Sequence, residues 1–481
     1  MCRKPDLRAA GEGGDGAVDT EMIWRETTAN GKAERAQRVY WNEKRRAKGR
    51  NDITMAEVAE HSTLADGWIV VDGRVYDVTK YVASHPGGVK PIACLLGKDA
   101  TDAFANYHPA AVYEKSLPNF YVGDVADAPK PTAFAAGARA IRQRMLEAGW
   151  FETEPGFYLK LGAWIAGLFL TALYLTVVQK RAVAGAVATG MFWQQLAFIG
   201  HDLGHSSVSH KKRVDTVIAL IIGNPLGGIA IGWWKWTHNV HHVVPNSVEH
   251  DPDNQHLPIF AVDHLMLDGF FSEFHNRDMP FCKVAANLVV WQPWTYHLVM
   301  VFARFNLYVQ SWLYVLGEHC KRDKAAEAAG LLFFAFGIAG IGLNFGSWKT
   351  FLTWLLLAHV AGSLLEIQIT LSHFAETVYG GLPGLTDDDE WYVNQVRTTL
   401  NIDCYPWLDW VHGGLQFQTE HHLWPRLPRH RLRAARDLLK PLCEQHGVEY
   451  NECTFFEANI RVLTKLSTVA KAAGARAAKS A

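Results

Sequence analysis

Hydrophobic and polar positions along this 481-residue chain fall into two regimes, mixed up to about residue 150 and dominated by long apolar runs after Pro155. Residues 1–50 are rich in Gly, Ala and charge and end in NEKRRAKGR, the pattern of a solvated, flexible arm. Over 51–127 the alternation in GWIVVDGRVYDVT predicts two short strands around an Asp72-Gly73 turn, within a small α+β domain. APKPTAF begins a linker and amphipathic segment over 128–150. The stretch 151–445 reads as an all-α membrane domain. Its runs 157–178, 182–200, 329–346 and 350–371 approach the roughly 20 apolar residues that a span requires, which predicts about four transmembrane helices. The run 214–234 is broken by Asn224, Pro225 and glycines and predicts a re-entrant or interfacial segment. The run 284–316 carries His297, Arg304 and Gln310, which favours a helix lying at the interface. Residues 446–481 are left as a C-terminal tail.

Four spans in two hairpins return the chain to the side of its N-terminal domain. There the polar segments HDLGH (201–205), HNVHH (238–242) and QTEHH (418–422) gather with the basic runs HKKR, CKRDK and RLPRHRLRAAR. Lys180 and Arg181 fall in the opposite loop, but the remaining bias outweighs them and predicts a cytosolic cap. A net charge of −1 argues against a nucleic-acid partner. The cysteines number seven, are scattered and form no C-x-x-C, which predicts reduced thiols. The N-terminus MCRKPDLRAAGEGGDG has no apolar core, so no cleavable signal peptide is expected.

Two histidines stand out in the α+β segment: His85 in SHPGGVKPI and His108 in FANYHPAA. Two neutral imidazoles on opposite faces of an iron porphyrin make a centre that carries electrons and has no open position for oxygen. The run from GWIVVDGRVYDVTKYVASHPGG to LPNFYVGDV resembles a cytochrome b5 domain over nearly all its length. That resemblance implies haem b with His85 and His108 as axial ligands. Residues 51–125 hold ten acidic and five basic side chains, net −5, a face suited to steering a basic reductase to the haem.

His201 and His205 are four apart, and His238, His241 and His242 fall at i, i+3 and i+4, so each set shares a helical face. Imidazole sites suit iron, zinc and copper alike, and an electron-carrying haem on the same chain favours a redox metal. With the predicted spans, the three boxes resemble the membrane fatty-acyl desaturases. The fused b5-like domain and Gln418 at the head of the third box resemble the front-end subgroup, with Gln416 where asparagine is usual. The resemblance covers about residues 50–445. It implies two non-haem irons held by His201, His205, His238, His241, His242, His421 and His422. Seven imidazoles are few for two irons. Gln418 or a water could take a further place, and His373 in ITLSHFAE sits where the family has another ligand.

The implied activity places a cis double bond between an existing one and the carboxyl end of a polyunsaturated acyl chain (Δ4, Δ5, Δ6 or Δ8). It uses O2 and electrons from NADH through a cytochrome b5 reductase. The implied substrate is a phospholipid or coenzyme A ester in a membrane, most simply the endoplasmic reticulum. A sphingoid-base Δ8 desaturase, a b5-fused acyl hydroxylase and a non-catalytic haem anchor are the competing readings. Histidines outside the box spacing, such as His61, His297 and His412, read as structural. His250 is a candidate outer partner for a ligand. His359 and Glu366 share one face of the last span, as a functional pair or as packing. Trp233, Trp234 and Trp236 suit either a tunnel wall or an interfacial belt.

Overall fold

The computed structural model describes residues 49–320, 322–383 and 390–480, with side chains up to Arg476. All but the end of the arm expected over 1–50 lies outside the described residues. The N-terminal domain runs β1 (Arg50–Ile53), α1 (Met55–Glu60), β2 (Ser62–Thr63), β3 (Asp66–Val71), β4 (Arg74–Asp77), α2 (Val89–Ala93), β5 (Lys98–Asp99), α3 (Thr101–Tyr107), α4 (Ala110–Lys115) and β6 (Tyr121–Val125). The sheet order is β1-β6-β4-β3-β2, with β5 paired to β3. The predicted hairpin is β3–β4: Val71 faces Arg74, and Asp72 and Gly73 both take positive φ (51° and 70°), as a two-residue turn demands. Alternation then sends Ile69, Val71 and Tyr76 toward one core and Val70 and Val75 toward a second with Ile53 and Val58.

The segment expected as a linker carries structure of its own. Helix α5 (Ala133–Glu147) is capped by Thr132, whose hydroxyl accepts from the Ala135 amide at 3.1 Å. Its Phe134, Ala138, Ile141 and Met145 are buried in one cluster with Leu432, Ala435 and Leu439 near the other end of the chain.

The apolar half begins with α6 (Pro155–Leu173), prolonged by a π-helical turn to Val178, and α7 (Ala182–Gly204). Then come α8 (Lys212–Gly227) and α9 (Ile231–Val243), bent by 109° at Gly228, whose φ is 72°. After the small hairpin β7 (Phe270–Ser272) and β8 (Arg277–Met279) run α10 (Lys283–Leu316), α11 (Lys324–Phe345), α12 (Trp348–Gly362) and α13 (Leu364–Leu371). The chain finishes with α14 (Trp391–Arg397), β9 (Asn401–Asp403), α15 (Asp409–His412), α16 (Gln418–Leu423), α17 (Arg429–His446), β10 (Glu452–Thr454) and α18 (Phe455–Ser480).

By length and composition, five helices among the described residues can cross a membrane: α6 with its extension, α7, α10, α11, and α12–α13 taken together; the bent α8–α9 pair would make six. Side-chain contacts constrain how many do. The His201 and His238 rings lie 5.4 Å apart, so the chain makes no net crossing between them, and α8–α9 turns back on the side it started from. The His241 and His373 rings lie 4.5 Å apart, so an even number of crossings separates them. Helices α11 and α12 are joined by only Gly346 and Ser347 as a hairpin, which accounts for two. With those two as the crossings, an even count requires α10 to lie along the interface, the placement expected from its polar residues. Its Arg304 is buried, donating to Gly227 O at 2.8 Å and to the Tyr308 hydroxyl at 2.9 Å.

The part of the fold least like its expectation is the C-terminus. Residues 446–481 are not a tail: β10 pairs in parallel with β9, and α18 buries Ala458, Val462, Leu466, Val469 and Ala473 in one cluster with Val289, Tyr296 and Met300 of α10. The spacing of 4, 4, 3 and 4 is an ordinary helical stripe, inconspicuous because two of its members are alanines.

This topology predicts a labelling pattern. In sealed vesicles with background thiols replaced, native Cys282 and a cysteine at Glu318 (E318C) should react with an impermeant maleimide from one side. A cysteine at Lys349 (K349C) should react from the other. Reaction of E318C from the side opposite Cys282 would mean that α10 crosses.

Candidate metal centre

Each histidine box sits at a helix end. His201 and His205 close α7, one turn apart; His238, His241 and His242 close α9; His421 and His422 lie in the short α16. Two glycines allow these ends to meet. A Cβ on Gly204, inside the first box, would come within 2.0 Å of the Trp234 ring of α9. A Cβ on Gly413, ahead of the third box, would come within 2.1 Å of Phe198 of α7.

All eight predicted histidines converge, in two groups. His201, His205, His238, His242 and His421 bring ring nitrogens within 4.8 Å of one another, and His241, His373 and His422 do the same. Adjacent residues on a helix point about 100° apart, so each His-His pair divides its members between the two groups. His242 Nε2 lies 3.1 Å from Nε2 of both His238 and His421. His201 Nε2, His205 Nε2, His242 Nδ1, His422 Nε2 and Gln418 Oε1 are all buried without a hydrogen-bond partner. A buried polar atom left unpaired costs roughly 1–3 kcal/mol, so several converging nitrogens mark donors reserved for a cation. Burial pushes His373, His421 and His422 well below the usual imidazole range, with neighbouring histidines adding to the effect, so these rings are neutral, as ligation requires.

The ring nitrogens facing away from the centre are also held. His241 Nδ1 lies 2.9 Å from Asp251 Oδ2, and His238 Nδ1 lies 3.2 Å from Asp253 Oδ2. His422 Nδ1 donates to Gln395 Oε1 at 3.0 Å, and His373 Nδ1 to Thr398 O at 3.1 Å. Asp251 is fully buried and accepts from the Asn246 and Asp253 amides as well. Outer partners of this kind set tautomer and ring orientation. Sequence reasoning missed Asp251 and Asp253, although EHDPD follows the second box by only a few residues. It named His250 instead, which faces the Ser247 hydroxyl at 3.2 Å and no ligand histidine. Gln418 Nε2 lies 3.1 Å from His373 Nε2, which places this side chain beside the three-histidine group.

The remaining candidates sort by contact. Trp234 packs 4.4 Å from His238 and 5.3 Å from His201, walling the larger group, whereas Trp236 stacks on His319 and Trp233 packs beside α11. His359 stacks on Phe305 at 4.1 Å and donates to Leu355 O at 2.7 Å, a packing role. Glu366 is buried without a hydrogen-bond partner. His61 pairs with Asp66, His297 with Asn459 and His412 with Gln368, as structural histidines.

In the N-terminal domain, His85 Nδ1 donates to Gly88 O at 2.8 Å and His108 Nδ1 to Phe104 O at 3.1 Å, which leaves Nε2 of each ring for a metal. The ring centroids are 6.0 Å apart. Allowing about 1 Å from centroid to nitrogen on each side, that separation suits two axial bonds of about 2 Å to one iron. Burial and the nearby His85 push the His108 imidazole down to about 3, keeping it neutral.

Fold and site together define a membrane metalloprotein with a fused haem-type electron carrier. Comparison with known proteins agrees. Residues 180–454 match the fatty acid desaturase family, and residues 54–126 match the cytochrome b5-like haem/steroid binding domain. A Delta(8)-fatty-acid desaturase of Borago officinalis is 36% identical over 422 residues, 87% of this chain and 94% of its own. An acyl-lipid (9-3)-desaturase of the same plant is 33% identical, covering 87% and 93%. A Delta 8-(E)-sphingolipid desaturase of Lachancea kluyveri is 39% identical over 340 residues, 69% of this chain and 59% of its own. The chain belongs to the fatty acid desaturase family, in its cytochrome b5-fused form, and is an oxidoreductase.

The carboxylates behind the ligands generate a prediction. Asp251→Ala should weaken iron binding by roughly 10–100-fold, the usual effect of removing an outer partner. Iron per chain, measured on purified protein after dialysis against a chelator, should fall. Retention of wild-type iron would mean that Asp251 does not orient His241.

Proposed function

We propose that this chain is a front-end acyl desaturase, which sets a cis double bond between an existing one and the carboxyl end of an unsaturated acyl chain. The observation that carries this reading is the convergence of eight histidines into two groups beside a haem-type domain, with Gln418 in the third box. His201, His205, His238, His242 and His421 would hold one iron, and His241, His373 and His422 a second, with Gln418 Oε1 a further donor to the smaller group. His85 and His108 would hold haem b as its axial pair. When bound, the haem supplies single electrons and the irons supply the dioxygen activation that an unactivated methylene pair requires.

The protein's own groups do the rest. Asp251, Asp253, Gln395 and the Thr398 carbonyl fix the ring orientations. Trp234 packs against His201 and His238 and forms one wall of the larger group. Electrons enter from NADH through a cytochrome b5 reductase, drawn to the acidic domain (net −5 over residues 51–125). The basic runs HKKR and RLPRHRLRAAR on the histidine side support a cytosolic haem domain and active site, with the endoplasmic reticulum as the membrane of this reading. The acyl group arrives on a phospholipid or coenzyme A. A second reading, a Δ8 sphingoid-base desaturase, is favoured by the similarity to the Delta 8-(E)-sphingolipid desaturase of Lachancea kluyveri.

Expression in yeast fed a panel of unsaturated fatty acids, with double bonds located by mass spectrometry in acyl lipids and sphingoid bases, decides between the two. New front-end unsaturation in acyl chains is the expected product; unsaturation confined to sphingoid bases, or a hydroxylated chain, overturns the proposal. His85→Ala should abolish desaturation even in a host rich in free cytochrome b5. Gln418→Ala should lower both iron content and turnover, and unchanged values of both would show that Gln418 does not serve the metal.

A further inference from the structure

Both haem-ligand segments of the N-terminal domain touch the helix that carries the second histidine box. After His85, the Gly87 carbonyl accepts from Asn239 Nδ2 of that helix at 3.0 Å, and the Pro86 carbonyl from Lys212 Nζ of the neighbouring α8 at 2.9 Å. Before His108, the Tyr107 hydroxyl donates to the main-chain carbonyl of His242 at 2.6 Å. That same carbonyl accepts from Gln395 Nε2 at 2.9 Å, and Gln395 Oε1 accepts from His422 Nδ1 at 3.0 Å. One hydrogen-bonded chain thus starts at the residue covalently joined to His108. It reaches His242 of the five-histidine group, then His422 of the three-histidine group. The docking is anchored independently by the Asp102–Arg139 ion pair at 2.7 Å and by Asn106 Nδ2 donating to the Tyr392 hydroxyl at 3.1 Å.

We infer that Tyr107 is a positioning and conducting residue: its hydroxyl couples the haem of the fused domain to both metal groups through the His242 carbonyl and Gln395. The inference rests on the haem and iron assignments proposed above, and not on the acyl substrate. Each passage moves one electron from the reduced haem to the oxidised metal centre, and two passages serve each double bond, with NADH the ultimate donor. The phenol stays protonated and is not itself oxidised, because its proton is committed to the His242 carbonyl. A bonded path of this kind explains why the domain is held by its ligand-bearing loops, where an ordinary tether would leave those loops free.

The test uses full-length protein loaded with haem and ferric iron, under argon and without substrate. A brief pulse of photochemical reductant reduces part of the haem, and the loss of its reduced absorption band is followed in time. In wild type the band should decay as electrons pass to the metal centre, and in iron-free protein it should persist. Tyr107→Phe keeps the ring and removes the donor; it should slow the decay severalfold, with the haem spectrum and the rate of reduction by reductase unchanged. Asn106→Ala loosens the same interface without touching the path and should slow the decay much less. Equal decay in wild type and Tyr107→Phe, equal slowing in both variants, or no iron-dependent decay in wild type would each overturn the inference. Because no product is measured, these outcomes stay distinct from failure of the desaturase reading in the feeding experiment.

Discussion

The structure depends on packing eight imidazoles, with their nitrogens converging, into a largely buried space. Ring nitrogens 3.1 Å apart share at most one proton, and burial holds the rings neutral. Unfilled, such a cluster is a liability, because each unpaired buried nitrogen is a desolvation cost with no return. The fold therefore holds the rings from outside. Asp251 and Asp253 stand behind the second box, and Gln395 and Thr398 behind the third box and His373. The close approaches at Gly204 and Gly413 serve the same end, since a methyl group at either would drive a box away from the others.

The constraint reaches into the membrane topology. Histidines from α7, α9, α16 and the end of α13 touch, so the apolar helices between them can cross only in pairs. Helix α10 has the length and composition of a span and packs along one side against α18. The same constraint reaches the haem domain, which docks on α9 through its ligand-bearing loops and on α5 through Asp102.

Local spacing carried much of this in the sequence. The β3–β4 hairpin and the shared faces of the box histidines were legible from spacing, because turns and helix faces are decided by residues within a few positions of one another, whereas His373 and the roles of His85 and His108 came from the resemblance. The apolar runs also announced the membrane helices. Questions that depended on a partner stayed open or went astray: Trp234 was as good a belt residue as a wall, and His250 was named as an outer partner where Asp251 holds that place.

The helical packing of residues 455–476 went unread, and residues 128–150 were read only as a linker and amphipathic segment, for a related reason. Their stripes are rich in alanine and weakly apolar, and the surfaces they cover belong to α17 and α10, far away along the chain. The sequence by itself determined the chemistry at each helix end: imidazoles at one-turn spacing, and a haem-type pair in a small sheet domain. Only the tertiary structure decided how the boxes divide between two centres, which carboxylates stand behind them, and that Tyr107 meets His242. Those facts arise from long-range packing, where a single contact such as the Tyr107 hydroxyl on the His242 carbonyl joins residues 135 positions apart.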